Sequence, residues 1–391
     1  MDNFRFWSPT EFVFGRKTIN LIAQLIKKAG GTKVLIHYGG QSAVKSGLLA
    51  EIENSLQNEF INYVKLGGVV PNPVDTKVYE GIELCRKEGV NFILAVGGGS
   101  VIDSAKAIAA GVPYAGDFWN FFEQTVTLNK ALPVATVLTI AAAGSEGSAN
   151  SVITNTKGML KRGLRNPLLR PVFSIMDPEL TFSLPANQTA YGICDMMAHI
   201  MERYFTQTRG VEVTDRMCEG LLQAIVKEAR IVMKDPKNYD ARANLMWAGT
   251  MAHNGICGVG REEDWASHGL EHELSAHCNV PHGAGLAVMF PAWMQYVYTS
   301  GVDRFVQFAV RVWGIEDHGN PKETAQKGIQ ALKNFFSSIG LPVNFKELGI
   351  DPSNIDSFIE TLKINSGGQL GYFRRLDMED CRRIYEIAAL D

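Results

Sequence analysis

Five short aliphatic and β-branched runs, separated by amphipathic stretches, occupy the chain up to about residue 180. Strands are expected at Lys33–His37, Ile61–Leu66, Phe92–Val96, Val134–Thr139 and Val172–Met176, with helices such as Thr18–Ala29 and Thr76–Glu88 between them. In the second of these helices Val78, Ile82 and Cys85 mark one apolar face. Strands that alternate with helices make a parallel sheet, because a helix-length crossover returns the chain to the same end of the sheet. The pattern predicts a doubly wound α/β domain with a Rossmann-like parallel sheet, whose ligands bind at the carboxyl ends of its strands.

Two of those strand ends run into glycine. The first is followed by Gly39-Gly40-Gln41-Ser42, the third by Gly97-Gly98-Gly99-Ser100-Val101-Ile102-Asp103-Ser104-Ala105-Lys106. Glycines between a buried strand and a helix let the backbone approach a phosphate, and a helix starting near Ser100 aims its free N–H groups at that anion. Neither stretch is the G-x-G-x-x-G fingerprint or a P-loop, and a tight turn is the alternative use of each. A third strand end, Thr139-Ile140-Ala141-Ala142-Ala143-Gly144-Ser145-Glu146, offers small residues on which a ring or ribose could lie; Ser145 could equally cap a helix.

Two prolines interrupt the pattern in Asp177-Pro178-Glu179-Leu180-Thr181-Phe182-Ser183-Leu184-Pro185, which places a domain boundary there. Residues 1–183 are read as a dinucleotide-binding α/β domain and 184–391 as an all-helical domain for metal and substrate. Helical stretches are expected over 186–206, 213–233, 240–256, 262–278 and 283–299, without strands. Ile329, Leu332, Phe335, Phe336 and Ile339 give a further 3.6-residue face, and Met378–Leu390 closes the chain as an amphipathic helix.

The stretch from Asp195 to His282 gathers six of the eight histidines: His199, His253, His268, His272, His277 and His282. Asp195 and His199 are four apart, as are His268 and His272, so each pair shares a helix face. A carboxylate among Cys194, Met196 and Met197 is costly to bury alone, and a cation held jointly with imidazoles makes its burial tolerable. Asp195, His199, His268 and His282 would form an N/O site without thiolates, suited to Fe²⁺, Zn²⁺, Co²⁺ or Ni²⁺. Helical histidines on solvated faces are the alternative.

A formal net charge of −3 argues against a nucleic-acid surface. The start, Met1-Asp2-Asn3-Phe4-Arg5-Phe6, lacks a signal-peptide pattern, and no run approaches the ~20 apolar residues of a membrane span. Six scattered cysteines, with no Cys-x-x-Cys, read as free thiols in a reducing cytoplasm. With anion-binding turns in one half and metal donors in the other, the expected active site lies between a nucleotide and a metal. A redox-inert Lewis acid beside a nicotinamide suits hydride exchange with an alcohol or aldehyde. Phosphoryl transfer, the main competitor, prefers carboxylates and waters around Mg²⁺.

Taken together, the Gly97–Lys106 stretch, Thr139 to Glu146, Asp177-Pro178-Glu179-Leu180-Thr181, Asp195-x-x-x-His199 and His268-x-x-x-His272 with Pro281-His282-Gly283 resemble the iron-containing (group III) alcohol dehydrogenases. The likeness runs in order over nearly the whole chain and implies their fold, shared with dehydroquinate synthase. The segment Asp264 to Leu274 looks like the butanol dehydrogenase branch, whose members reduce aldehydes with NADPH. The resemblance implies Asp195, His199, His268 and His282 as ligands of one divalent metal, Fe²⁺ or Zn²⁺. It implies His272 as a proton relay, the alternative being a residue that orients His268. His253 and His277 match no ligand and read as structural. The cofactor contacts it implies are Gly39, Gly40, Ser42, Gly97, Gly98, Gly99, Ser100, Asp103, Thr139, Ser145 and Lys161, although Lys161 reads equally well as a surface charge.

Relatives that prefer NAD(H) carry an acidic residue after the first strand, where it bonds ribose and repels a 2′-phosphate. Gly39-Gly40 stands there in this chain, with Ser42 and Lys45 nearby, so NADP(H) is expected over NAD(H). The expected activity is reduction of small or medium unbranched aldehydes such as butanal, or oxidation of the alcohols, in a cytoplasmic homodimer. Alternatives are an NAD-dependent polyol dehydrogenase, a sugar-phosphate cyclase, which should surround the metal with Lys and Arg, and a non-catalytic binding protein.

Overall fold

The computed structural model describes residues 1–158 and 160–390, which fall into two compact units: Trp7–Ser183, and Leu184 to the end together with Met1–Phe6. The first six residues, expected with the sheet, therefore go with the helices. Backbone bonds decide it: Met1 N donates to Arg209 O at 2.8 Å and Asp2 N to Gly260 O at 2.9 Å.

In the first unit, β1 (Glu11–Phe14), β2 (Lys33–Tyr38), β3 (Asn62–Leu66), β4 (Phe92–Gly97), β5 (Val134–Leu138) and β8 (Phe173–Met176) form one parallel sheet in the order β1-β8-β5-β4-β2-β3. Helices α1 (Ile22–Lys28), α2 (Leu48–Asn58), α3 (Asp75–Glu88) and α4 (Gly99–Gly111) make the crossovers. Every residue of β4 is buried, as expected of a central parallel strand covered on both faces. The expected helix at Thr18–Ala29 is a 3₁₀ turn, Thr18–Leu21, followed by α1.

The sheet's connections reverse direction between the neighbouring strands β4 and β2. From β2 the chain moves to β3 on one side, and from β4 to β5 on the other. Such a switch opens a crevice at the carboxyl edge. Tyr38 pairs with Val96 and Gly97 with Leu138, so the turns after β2, β4 and β5 leave the sheet side by side. His37 stitches this region together, its ring nitrogens 3.0 Å from Leu66 O and 2.9 Å from Ser104 Oγ. Burial pushes that imidazole down to about 4, so it is a neutral structural group.

Three strands were not expected: the edge strand β1, and β6 (Asn150–Asn155) and β7 (Leu160–Arg165), which form an antiparallel hairpin apart from the main sheet. The hairpin is fastened by α4, whose Asp103 accepts from Val152 N at 2.9 Å.

The second unit is helical: α5 (Ala186–Tyr204), α6 (Glu212–Val232), α7 (Tyr239–His253), α8 (Ala266–Cys278), α9 (His282–Val297), α10 (Val302–Trp313), α11 (Pro321–Ser338), α12 (Ile355–Ser366) and α13 (Met378–Ala389), with shorter turns between them. Its centre is α5, buried from Gly192 to Tyr204. Helix α8 begins at Ala266, four residues later than the apolar pattern suggests, because Trp265 sits in the left-handed region at φ 67°. Among the described residues no helix is long and apolar enough to cross a membrane.

Candidate metal centre and dinucleotide loops

Asp195, His199 and Glu202 fall at i, i+4 and i+7 of α5, so one face of one helix carries all three. Facing them are His268 on α8 and His282 at the first position of α9. Asp195, His268 and His282 each offer one donor atom, and the three atoms lie within 4.8 Å of one another. Asp195 Oδ1 is 3.7 Å from His199 Nε2 and 3.8 Å from His282 Nε2. Donors bound at about 2.1 Å to one ion stand roughly 3–4 Å apart, so Asp195, His268 and His282 suit a single divalent cation, and His199 is placed next to them by its distance to Asp195.

Electrostatics favours the ligating form of the imidazoles. Burial first, then the neighbouring His253, His268, Arg203 and His282, holds His199 well below the usual histidine range, hence neutral. The His199 and His268 rings stack at 4.8 Å between centroids, and His253 lies 4.0 Å from His199 on its other flank.

Why α9 comes close enough is written in Pro281-His282-Gly283. A Cβ on Gly283 would lie 2.2 Å from Tyr191 O and 2.7 Å from its carbonyl carbon, so only glycine lets this helix start against the α5 backbone. The Asp264-Trp265 pair shapes the start of α8. Asp264 accepts from Ala266 N at 2.9 Å, Tyr372 N at 2.8 Å and Phe373 N at 2.6 Å. Trp265 places its indole 5.0 Å from the His268 ring and 5.8 Å from His199, with the Arg203 guanidinium 4.7 Å over it.

Two carboxylates that sequence reasoning missed sit behind the donors. Glu202 Oε1 lies 2.8 Å from His268 Nδ1 and accepts from His268 N at 3.0 Å, and its Oε2 accepts from Trp265 N at 2.9 Å. Burial pushes its carboxyl up to about 8, and the donated N–H groups pull the other way. Glu271 bonds His282 Nδ1 and Ser275 Oγ. A signal existed for both: each is an acid three residues from a metal donor on an otherwise buried helix face.

His272 stands beside this cluster, half-buried, its ring 5.7 Å from His282 and 6.4 Å from His268. The His268 ring is also held by Glu202, through its Nδ1. His277 lies elsewhere, its Nε2 2.9 Å from Thr361 Oγ1.

In the sheet unit, Gly98 and Gly99 press against the turn after β5: a Cβ on Gly98 would meet Ile140 at 3.1 Å, and one on Gly99 would meet Ala143 at 3.0 Å. Thr139 N donates to Gly97 O at 3.1 Å, which joins the two turns. Ser100 lies in the first turn of α4, where the helix's free N–H groups point outward. Gly39 and Gly40 follow β2 at the neighbouring strand end, and the exposed Ser42 and Lys45 belong to the short helix Ser42–Lys45.

Asp103 and Ser145 face inward. Ser145 Oγ donates to Asp103 Oδ1 at 2.6 Å. The buried Lys106 donates to Ser145 O, Ser145 Oγ, Ser148 O, Ser148 Oγ and Asn150 O at 2.7–3.3 Å. The three residues thus clamp the loop 145–150 onto α4. Lys161 is 7% exposed and bonds Asn72 Oδ1 at 3.0 Å, so it is no surface charge.

Residues 9–178 match the family described as iron-containing alcohol dehydrogenase, and residues 189–389 match the C-terminal domain of the Fe-containing alcohol dehydrogenase family. The chain is 39% identical over 387 residues to NADH-dependent butanol dehydrogenase A of Clostridium acetobutylicum, covering 99% of both chains. To the NADPH-dependent aldehyde reductase YqhD of Escherichia coli it is 36% identical over 391 residues, covering 99% of this chain and 100% of that one. Its structure superposes on the crystal structure of NADH-dependent butanol dehydrogenase A from Thermotoga maritima with a TM-score of 0.97 at 44% identity, covering 100% of this chain and 99% of the other.

Proposed function

Since this chain belongs to the iron-containing alcohol dehydrogenase family, we propose that it is an NADP(H)-preferring reductase of small to medium unbranched aldehydes such as butanal. Its activity is that of an alcohol dehydrogenase and aldehyde reductase, an oxidoreductase using a nicotinamide cofactor and a metal. The observation that carries the reading is the convergence of Asp195, His268 and His282, with His199 beside them, around a space of one ion's size. Those four residues would hold Fe²⁺ or Zn²⁺.

When bound, the divalent ion supplies a Lewis acid for the substrate oxygen, and the reduced nicotinamide supplies the hydride. The protein's own groups do the rest. Glycine turns at three adjacent strand ends would hold the dinucleotide, the N–H groups of α4 being available to its phosphates, and Lys161 would serve its nicotinamide end. Asp103, Ser145 and Lys106 keep the third turn fixed. His272 would supply the proton that, with the hydride, gives the alcohol. The enzyme works in the cytoplasm as a homodimer.

Coenzyme choice rests on the residues that leave the end of β2. Among relatives named for their coenzyme, the butanol dehydrogenase uses NADH and the aldehyde reductase NADPH. No carboxylate stands at Gly39 or Gly40 to repel a 2′-phosphate, which supports NADP(H). With butanal, NADPH is expected to exceed NADH in kcat/KM by roughly tenfold or more. Gly39→Asp should reverse this. A Cβ there meets Val101 and Val69 O at 3.5 Å, ordinary contact, so the side chain fits. Its charge beside the phosphate costs on the order of 1–3 kcal/mol, about 10–100-fold in NADPH use. Equal rates with both coenzymes in both proteins would remove the preference, and higher activity on glycerol than on butanal would move the substrate class to polyols.

A further inference from the structure

We propose that Glu202 and Glu271 are positioning residues for the metal centre, each holding Nδ1 of one histidine so that its Nε2 faces the ion. This rests on the metal-dependent reading above and adds how the free protein keeps its site assembled.

The two contacts form a chain of three helices. Helix α5 carries Asp195 and His199 and reaches through Glu202 to His268 on α8. Helix α8 in turn reaches through Glu271 to His282 on α9. Both glutamates are fully buried, whereas His282 keeps a quarter of its side chain exposed. An imidazole that donates from Nδ1 carries its lone pair on Nε2, the form a cation binds. Without such an acceptor either nitrogen can carry the proton, and the ring is free to turn.

Room for Glu271 is itself built in. A Cβ on Gly285 would lie 2.7 Å from Glu271 Cγ and 2.8 Å from its Oε1. Glycine at this position of α9 has no turn or cap to explain it, since it lies inside the helix, where glycine is disfavoured. The space it leaves is filled by the carboxylate that holds His282. Glu202 likewise does more than pack: it caps the start of α8 from another helix through the N–H groups of Trp265 and His268.

The test is a Co²⁺ titration of the full-length, metal-free protein, followed by the visible absorption of the bound ion. Glu202→Gln and Glu271→Gln keep size but exchange a carboxylate for an amide that can also donate to Nδ1, so the tautomer is no longer fixed. Each is expected to raise the Co²⁺ Kd by about 10–100-fold and to shift the absorption band; Glu271→Gln should do so with little change in the melting temperature of the metal-free protein, whereas Glu202→Gln also loses an acceptor at the start of α8 and should melt lower. Gly285→Ala, which leaves all four donors and both glutamates in place, should weaken Co²⁺ in the same direction as Glu271→Gln. If Glu202→Gln does not fold, the other two variants decide on the same readings. Variants that bind Co²⁺ within roughly threefold of the wild type, with its spectrum, would overturn the proposal, because a purely structural glutamate leaves both unchanged. Failure of the wild type to bind Co²⁺ would remove the centre itself, and is told apart by needing no variant.

Discussion

Asp195→Ala is expected to lower butanal reduction by about three orders of magnitude or more while the protein stays folded. Asp195 is the only carboxylate among the four donors and sits within 4 Å of both His199 Nε2 and His282 Nε2. Taking it away leaves neutral imidazoles to hold a dication. The loss of Lewis-acid stabilisation, several kcal/mol, corresponds to about a thousandfold at ~4 kcal/mol. Metal content of the purified variant, measured beside its activity and melting curve, checks this. An Asp195→Ala protein that still carries one ion per chain and turns over normally would exclude Asp195 as a ligand.

Gly283→Ala should be nearly as damaging although it touches no donor atom. The added methyl would press on the main chain of Tyr191, which has no rotamer by which to yield. Helix α9 must then back away from α5 and draw His282 from Asp195. Overpacking of this kind costs about 1–3 kcal/mol, or roughly 2–4 °C in Tm per kcal/mol for a unit of this size. Activity should fall by about a hundredfold or more, since displacing a catalytic group by about 1 Å can cost that much. Gly220→Ala on α6, where a Cβ meets nothing within 4 Å, is the control and should match the wild type. If Gly283→Ala matched it too, the close approach of α9 to α5 would not be what sets the site.

The contrast between these residues shows what a sequence can disclose. The sheet strands were readable because a strand buried on both faces must be a short, continuous aliphatic run, as Phe92 to Val96 is. Strand β1 escaped because Glu11-Phe12-Val13-Phe14 is short and lies at an edge, paired only with β8. The β6–β7 hairpin escaped for another reason. Asn150, Ser151, Thr154 and Asn155 give it a polar composition, and its ties to the fold come from distant residues such as Asp103, 49 residues before Val152.

The proposed donors stood out through local spacing: Asp195 and His199 share a helix face, and His268 and His282 cluster with other histidines in a chain that has few. Glu202 and Glu271 act across helices, with Glu202 66 residues from the histidine it holds, so spacing alone could not pair them. The same limit applies to the start of α8, which is capped by a side chain of α5. The bonds between Ser145 Oγ and Asp103 and between Lys106 and Ser145 Oγ span 42 and 39 residues of sequence, so no local motif could pair them.

Metal removal and return bear most directly on the chemistry. The purified protein should contain iron or zinc, and chelation should bring NADPH oxidation with butanal down to roughly 1% or less of its starting rate. Adding Fe²⁺ or Zn²⁺ to the same sample should restore it. Stripped protein that reduces butanal as fast as the untreated enzyme would contradict a metal held by Asp195, His199, His268 and His282 as the source of activity.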